Sequence, residues 1–516
     1  MGDPACGRAG RSALQNMNIK EAKEEIKHTL LAYNRKDAAG RYTFPKLRQR
    51  PILLMGPPGI GKTAIMEQVA EECNVGLVAY TITHHTRQSA VGLPRIVTRC
   101  YNGKEVSITE YTLSEIIASV YDCMERTGKK EGILFIDEIN CVSETLAPAM
   151  LQFLQCKTFG NHKIPDGWLI VAAGNPPEYN KSVREFDVVT MDRIRKIEVE
   201  ADFQVWKEYA YANGLHPAVI SYLNTKKQNF YQMETTIDGR CFATPRGWED
   251  LSTMIGIYEK IDKTIDREVV AQYIQHPKIA KDFANYLELF YKYRTDYQIE
   301  EIFKGNPDEI LMKKVSHASF DERLAVLGLL ISKVNERIRF AVEKEEEMEL
   351  LQGTLIRYKE SGQAEVSKDA LELLEEVTAG LLFEEKQKKE AELLSRRQEQ
   401  NYRRAGTLLE TYLQRLRLEG SMDFETAFAK IKEWFEEENQ KYLQMGQTAE
   451  QYLEYAFDFL EGTGLTGQEM VIFITELNSN ARSVAFLQEC ESERYFRYNK
   501  ELLFSEKREK ILEKLN

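Results

Sequence analysis

Gly56-Pro57-Pro58-Gly59-Ile60-Gly61-Lys62-Thr63 follows an apolar run, Pro51 to Met55, and precedes a helical run, Ala64 to Cys73. A strand that leads through a glycine-rich turn into a helix gives this spelling its physical meaning. The glycines let backbone N–H groups wrap a chain of phosphates, and the helix N-terminus adds a positive dipole end. Lys62 can reach the β- and γ-phosphates, and the Thr63 hydroxyl offers an oxygen ligand to Mg²⁺. Gly56, Pro57, Pro58, Gly59, Ile60, Gly61, Lys62, Thr63 and Ala64 are therefore the candidate nucleotide cradle.

Outward from this loop, short apolar runs alternate with helical stretches from about Arg50 to Glu200, the pattern of a parallel sheet covered by helices. The spacing predicts five buried strands: Pro51 to Met55, Gly76 to Thr81, Gly132 to Ile136, Trp168 to Ala173 and Ile194 to Val199. Asn102-Gly103, between two β-prone segments, predicts a tight hairpin, because both residues accept a positive φ. At the end of the third strand stand Asp137 and Glu138. Paired acids after a strand most often cap a helix. Downstream of a phosphate loop the balance reverses: Asp137 can hold the Mg²⁺ shell, and Glu138 can orient and deprotonate the attacking water. Asn175, at the end of the fourth strand, is a candidate to position the same water. Taken alone it reads as a turn residue before Pro176. Arg193 and Arg246 each stand beside a predicted strand or helix start, and either alone reads as a surface salt-bridge partner.

Together these segments carry a resemblance. GPPGIGKT, LFIDEIN, AAGNPPEYN, VVTMDRI and ATPRGWEDL, in that order over about Ile19 to Lys260, resemble the MoxR family of AAA+ ATPases, within the dynein-related AAA grouping. The resemblance implies a Walker A loop at Gly56 to Thr63, a Walker B pair at Asp137 and Glu138, and a first sensor at Asn175. It further implies an arginine finger at Arg193 and a second sensor at Arg246, with Arg195 and Arg184 as competitors for the finger. It implies ATP and Mg²⁺ as cofactors, a hexameric homo-oligomer, and a protein client, with a von Willebrand factor A domain protein as partner. The hairpin near Asn102-Gly103 and a second one over Phe159 to Asp166 would be inserts typical of that family. Three positions depart from it: Cys141 stands where the family has arginine, Ile194 where it often has phenylalanine, and Ser89-Ala90-Val91 lacks a common aspartate.

Composition bounds the rest. A chain of 516 residues exceeds what one core holds, so several domains are expected. The net charge of -12 provides no global field to attract nucleic acid or an anionic membrane, and favours protein or nucleotide partners. Eight cysteines without a CxxC pair indicate neither a zinc site nor a disulfide framework, and point to a reducing cytoplasm. No apolar run reaches the roughly 20 residues of a membrane span. His84-His85 reads as a polar strand end rather than a metal site, and Trp168, Trp206 and Trp248 as core or interface aromatics.

The expected fold is an α/β AAA+ P-loop core, with a parallel five-stranded sheet between helices, a small helical lid and a long, mostly α-helical C-terminal extension. The domains are 1–16, a disordered leader ahead of a possible start at Met17; 17–200, the nucleotide-binding core; 201–275, the lid, broken by a loop around Gly239; and 276–516, the extension. With no proline after Pro307, the extension should form long helices. These readings converge on an ATP-hydrolysing, chaperone-like remodelling machine. One rival is an assembly switch that binds ATP with little turnover, which would not need Glu138, Asn175, Arg193 and Arg246 together. Another is a nucleic-acid-linked NTPase of the McrB type, disfavoured by the acidic charge and by the lack of an aspartate after Asn224-Thr225-Lys226-Lys227.

Overall fold

A computed structural model describes residues 16–502, apart from 85, 160–161, 180–185, 237–238, 365–368, 391–393, 395, 421 and 491. The expected leader up to residue 15, His85 and Arg184 therefore lie outside the described residues. The chain divides into two compact units, Met1–Val205 and Trp206–Asn516.

The first unit is built on a sheet of six strands: β1 (Met17–Asn18), β2 (Ile52–Met55), β3 (Gly76–Thr81), β4 (Gly132–Asp137), β5 (Trp168–Gly174) and β6 (Arg195–Glu200). All pair in parallel, in the order β1-β6-β2-β5-β4-β3. The five expected strands are present, with only their end residues differing. The sixth corrects the five-stranded expectation. Met17 and Asn18 pair with Val199 and Glu200, a strand too short to leave an apolar run in the sequence. Asn18 then caps the helix Ile19–Tyr33 in a reciprocal box with Glu21.

Burial explains why these runs are strands. All seven residues of β5 are buried, as a central strand covered on both faces requires. Its register is fixed at one end by Trp168, opposite Gly132, which is in turn opposite Gly76. A Cβ on Gly132 would stand 2.6 Å from the Trp168 ring, so the indole occupies the space left by the absent side chain. The Asn102-Gly103 turn joins strands Pro94–Tyr101 and Lys104–Tyr111, with φ of 49° and 79° at its two central residues, the left-handed pair expected of a tight hairpin. Thr158–Phe159 and His162–Lys163 form the second, shorter hairpin, and Phe159 stacks on Phe153 with ring centroids 3.9 Å apart.

The second unit is mostly helical. Around Gly239 the structure has an antiparallel hairpin, Gln232–Thr236 with Gly239–Ala243, where a loop was expected. Its Thr-rich first strand carries little apolar alternation to announce it. The longest helices are Phe320–Ala364, 45 residues, and Phe424–Gly462, 39 residues, as the proline-free tail predicts. With Ala370–Glu390 and Arg396–Glu419 they bury one core that includes Leu351, Tyr358, Leu374, Leu409, Tyr412 and Ile431. None of the helices among the described residues is long and apolar enough to cross a membrane.

The segments expected as lid and extension share an aromatic cluster. Phe283 meets Tyr222 and Trp248 edge-on, at 5.2 and 5.3 Å between centroids, and the Tyr222 hydroxyl donates to Asp282 at 2.8 Å. Tyr286 donates to Ser221 at 2.7 Å. A cut after residue 275 would uncover Trp248, which is fully buried. Phe283→Ala should therefore destabilise the second unit by about 3–5 kcal/mol, measured by urea unfolding followed through tryptophan fluorescence.

Candidate functional site

β2 ends in the loop Gly56–Gly61, and the helix Lys62–Glu72 begins directly after it. Two glycines are obligatory here for different reasons. A Cβ on Gly56 would stand 2.6 Å from the carbonyl oxygen of Val199, because the loop passes against β6. Gly61 has φ +93°, a conformation that side-chain-bearing residues avoid. The Lys62 ammonium is turned back into the loop. Its Nζ donates to Gly56 O at 2.8 Å, to Pro57 O at 2.9 Å and to Asn175 Oδ1 at 2.9 Å. The lysine and the candidate sensor are thus in direct contact.

β4 brings the carboxylates to the same edge. Thr63 Oγ1 donates to Asp137 Oδ2 at 3.3 Å, and the Glu138 N–H donates to Asp137 Oδ1 at 2.8 Å. Glu138 itself has φ +56° and ψ +33°, the left-handed region that costs an L-residue with a side chain roughly 1–2 kcal/mol. Such strain persists only where the surroundings enforce it. Here the next turn closes with the Cys141 N–H donating to Glu138 O at 2.8 Å, and Thr83 Oγ1 donates to Glu138 Oε2 at 2.8 Å. Lys62, Thr63, Asp137, Glu138 and Asn175 are therefore brought together by the edge of one sheet.

The two candidate arginines belong to different units. Arg193 is exposed, between the short helix Val188–Met191 and β6, and its Nη1 donates to Gln155 Oε1. Asp187, which caps that helix, is held below the ordinary carboxylate range by hydrogen bonds from the Thr190 side chain and backbone, with a smaller contribution from Arg193. Arg195, the nearby competitor, is occupied within its own unit: it donates to Thr29 Oγ1 at 2.7 Å and to Glu25. Arg246 belongs to the second unit, where it is exposed on the first turn of the helix Pro245–Lys260.

Three site residues escape sequence reasoning. Thr83, just past β3, reads as one more polar strand end. Gln155 reads as a solvent-facing helix residue, and Asn140 as the tail of an acidic motif. Each makes its contact with a residue remote in the chain, so no local pattern marks it.

Comparison with known proteins accords with this geometry. The model of the ATPase family associated with various cellular activities (AAA) matches residues 52–191, from the first residue of β2 to the end of the helix Val188–Met191. Among solved structures, the crystal structure of the FIGL-1 AAA domain in complex with ADP is similar at 15% identity, covering 54% of this chain and 84% of that one, with a TM-score of 0.29. No curated protein matches the chain. The glycine-rich loop and the paired carboxylates both fall within that one matched span, so residues 52–191 are the part of this chain that is similar to the AAA family.

Proposed function

We propose that this protein is an ATP-hydrolysing remodelling machine of the MoxR type. In this reading it works in the cytoplasm as a hexameric ring of its own copies, on a protein client, with a von Willebrand factor A domain protein as partner. The observation that carries the enzymatic part is the contact of Lys62 Nζ with Asn175 Oδ1, beside the Thr63–Asp137 and Thr83–Glu138 pairs. Residues 17–200 would form the core, 201–275 the lid, and 276–516 the client-docking part.

In this reading the backbone of Gly56 to Ala64 holds the ATP phosphates. Lys62 exchanges its bonds to the Gly56 and Pro57 carbonyls for bonds to β- and γ-phosphate oxygens. Thr63 and Asp137 offer only oxygen donors, the set that suits Mg²⁺, and these two residues would hold it. Bound there, Mg²⁺ supplies neutralisation of charge on the phosphate oxygens. Glu138 accepts the proton of the water that attacks the γ-phosphorus while Asn175 orients that water. The bond to the bridging oxygen breaks, and ADP leaves with its electron pair. Thr83 fixes one oxygen of Glu138, so the direction in which the carboxylate faces is set before substrate arrives. Arg246 would sense the γ-phosphate.

Two outcomes test the chemistry. Lys62→Ala should abolish ATP binding in calorimetry while leaving the circular dichroism spectrum unchanged. Glu138→Gln should bind ATP normally and lose about 10²–10⁴ in steady-state phosphate release. Unaltered release would mean that another group activates the water.

Arg193 would complete the site of a neighbouring copy. A guanidinium delivered to the charge on a transferring phosphoryl group is worth roughly 10³ to 10⁵ in rate. Arg193 suits that task because it is exposed and bonded to a neutral amide, whereas Arg195 is committed to Glu25. Arg193→Ala should bind ATP and hydrolyse it poorly. Mixed with Lys62→Ala, it should recover partial activity, because some interfaces then pair an intact loop with an intact arginine. Mixtures that stay inactive although subunit exchange is demonstrated would remove the shared site.

A further inference from the structure

Asn140 has no part in the roles assigned so far. It lies in the turn Ile139–Cys141, directly behind Glu138, and is only 2% exposed. A buried amide costs free energy unless it is hydrogen-bonded, and this one spends its donor on a single main-chain atom. Asn140 Nδ2 donates to the carbonyl oxygen of Asn175 at 2.8 Å. The same Asn175 accepts from Lys62 with its side chain. Asn140 therefore grips the backbone of the residue whose amide faces the nucleotide loop.

A second observation comes from the neighbouring glycine. A Cβ on Gly174 would stand 2.7 Å from Asn140 Oδ1, 2.8 Å from its Cγ and 3.0 Å from its Nδ2. All three nearest atoms belong to the one amide, so the Asn140 side chain lies flat against the bare Cα of Gly174. Any other residue there would push it off Asn175.

A third concerns what would otherwise hold the two segments. The ladder between β4 and β5 has its last pair at Ile136 and Ala172. Glu138 and Asn175 both lie beyond it, where no strand pairing fixes their separation. Two groups that act on one water must keep their relative position to about 0.5 Å. Beyond the ladder, Asn140 supplies a side-chain bond between the turn that carries Glu138 and the strand end that carries Asn175.

We propose that Asn140 is a positioning residue for hydrolysis: by bonding the Asn175 carbonyl across Gly174, it sets the distance between Glu138 and the Asn175 amide. The proposal rests on the reading of Glu138 and Asn175 given above. Asn140 is buried and spends its bond on the Asn175 main chain, so its loss should act on the chemical step and leave nucleotide binding nearly intact.

The test is a double-mutant cycle on the full chain, read as kcat, as ATP affinity by calorimetry and as melting temperature. Asn140→Ala should lower kcat by about tenfold or more with ATP affinity within about threefold of the parent. In an Asn175→Ala background, where the main-chain carbonyl remains but the amide it would position is gone, the same substitution should cost less than about a further twofold. Gly174→Ala, which crowds the same amide from the other side, should reproduce the loss of kcat and carries the test if Asn140→Ala does not fold. Losses that multiply in the double mutant, or a fall in ATP affinity as large as that in kcat, would overturn the positioning role while leaving Asn175 in place. An Asn175→Ala protein that turns over at the parent rate would overturn the reading of Asn175, and the proposal with it.

Discussion

Parallel pairing of β2 with β5 is the constraint on which the site depends. Met55 lies opposite Gly174, and the Gly56 N–H still reaches Gly174 O at 3.4 Å, so the phosphate loop departs from the sheet where Asn175 begins. Because neighbouring strands run the same way, their C-terminal ends share one edge, and β4 adds Asp137 and Glu138 to it. The helix Lys62–Glu72 starts from that edge, with its positive end among the same groups. A slip of one residue in β5 would turn every side chain to the opposite face, and with them the contact between Lys62 and Asn175.

At this edge the backbone ladder runs out and side chains replace it. Thr83 holds Glu138, Thr63 meets Asp137, Lys62 binds Asn175, and Asn140 binds the Asn175 carbonyl. Such bonds are short enough to fix the direction of each side chain. The left-handed Glu138 is the price of turning a carboxylate out of a strand within one residue. Gly56 and Gly174 are needed there for a plainer reason: other atoms already occupy the space a Cβ would take.

The second unit is specified by polar groups as well as by its apolar stripes. Lys207 and Glu476, both at most 5% exposed, form an ion pair at 2.8 Å between the helices Phe203–Ala212 and Gln468–Asn478. The Tyr211 hydroxyl donates to the same carboxylate at 2.6 Å, and burial together with that negative neighbour pushes it well above its ordinary value. Removing one partner would leave a charge buried and unpaired, so the pairing strongly favours one register of the two helices over others. Residues this far apart in sequence signal nothing to each other before the chain folds.

Local pattern alone determined the glycine-rich loop between strand and helix, the five long strands, the Asn102-Gly103 hairpin and the helical tail, because each follows from backbone geometry and burial within a short window. The acidic pair and Asn175 were legible for the same reason: they sit at strand ends, where an apolar run stops. Tertiary structure alone decided the rest. The two-residue β1 exists only because Val199 and Glu200 offer it an edge, and the hairpin Gln232–Thr236 with Gly239–Ala243 carries too little alternation to be read. Thr83, Asn140 and Gln155 gain their partners from other strands and helices, and the boundary expected after residue 275 crosses the aromatic contacts of Phe283. A side-chain hydrogen bond or a ring contact depends on which distant segments the sheet and helices bring within a few ångströms, and sequence periodicity carries no record of that distance.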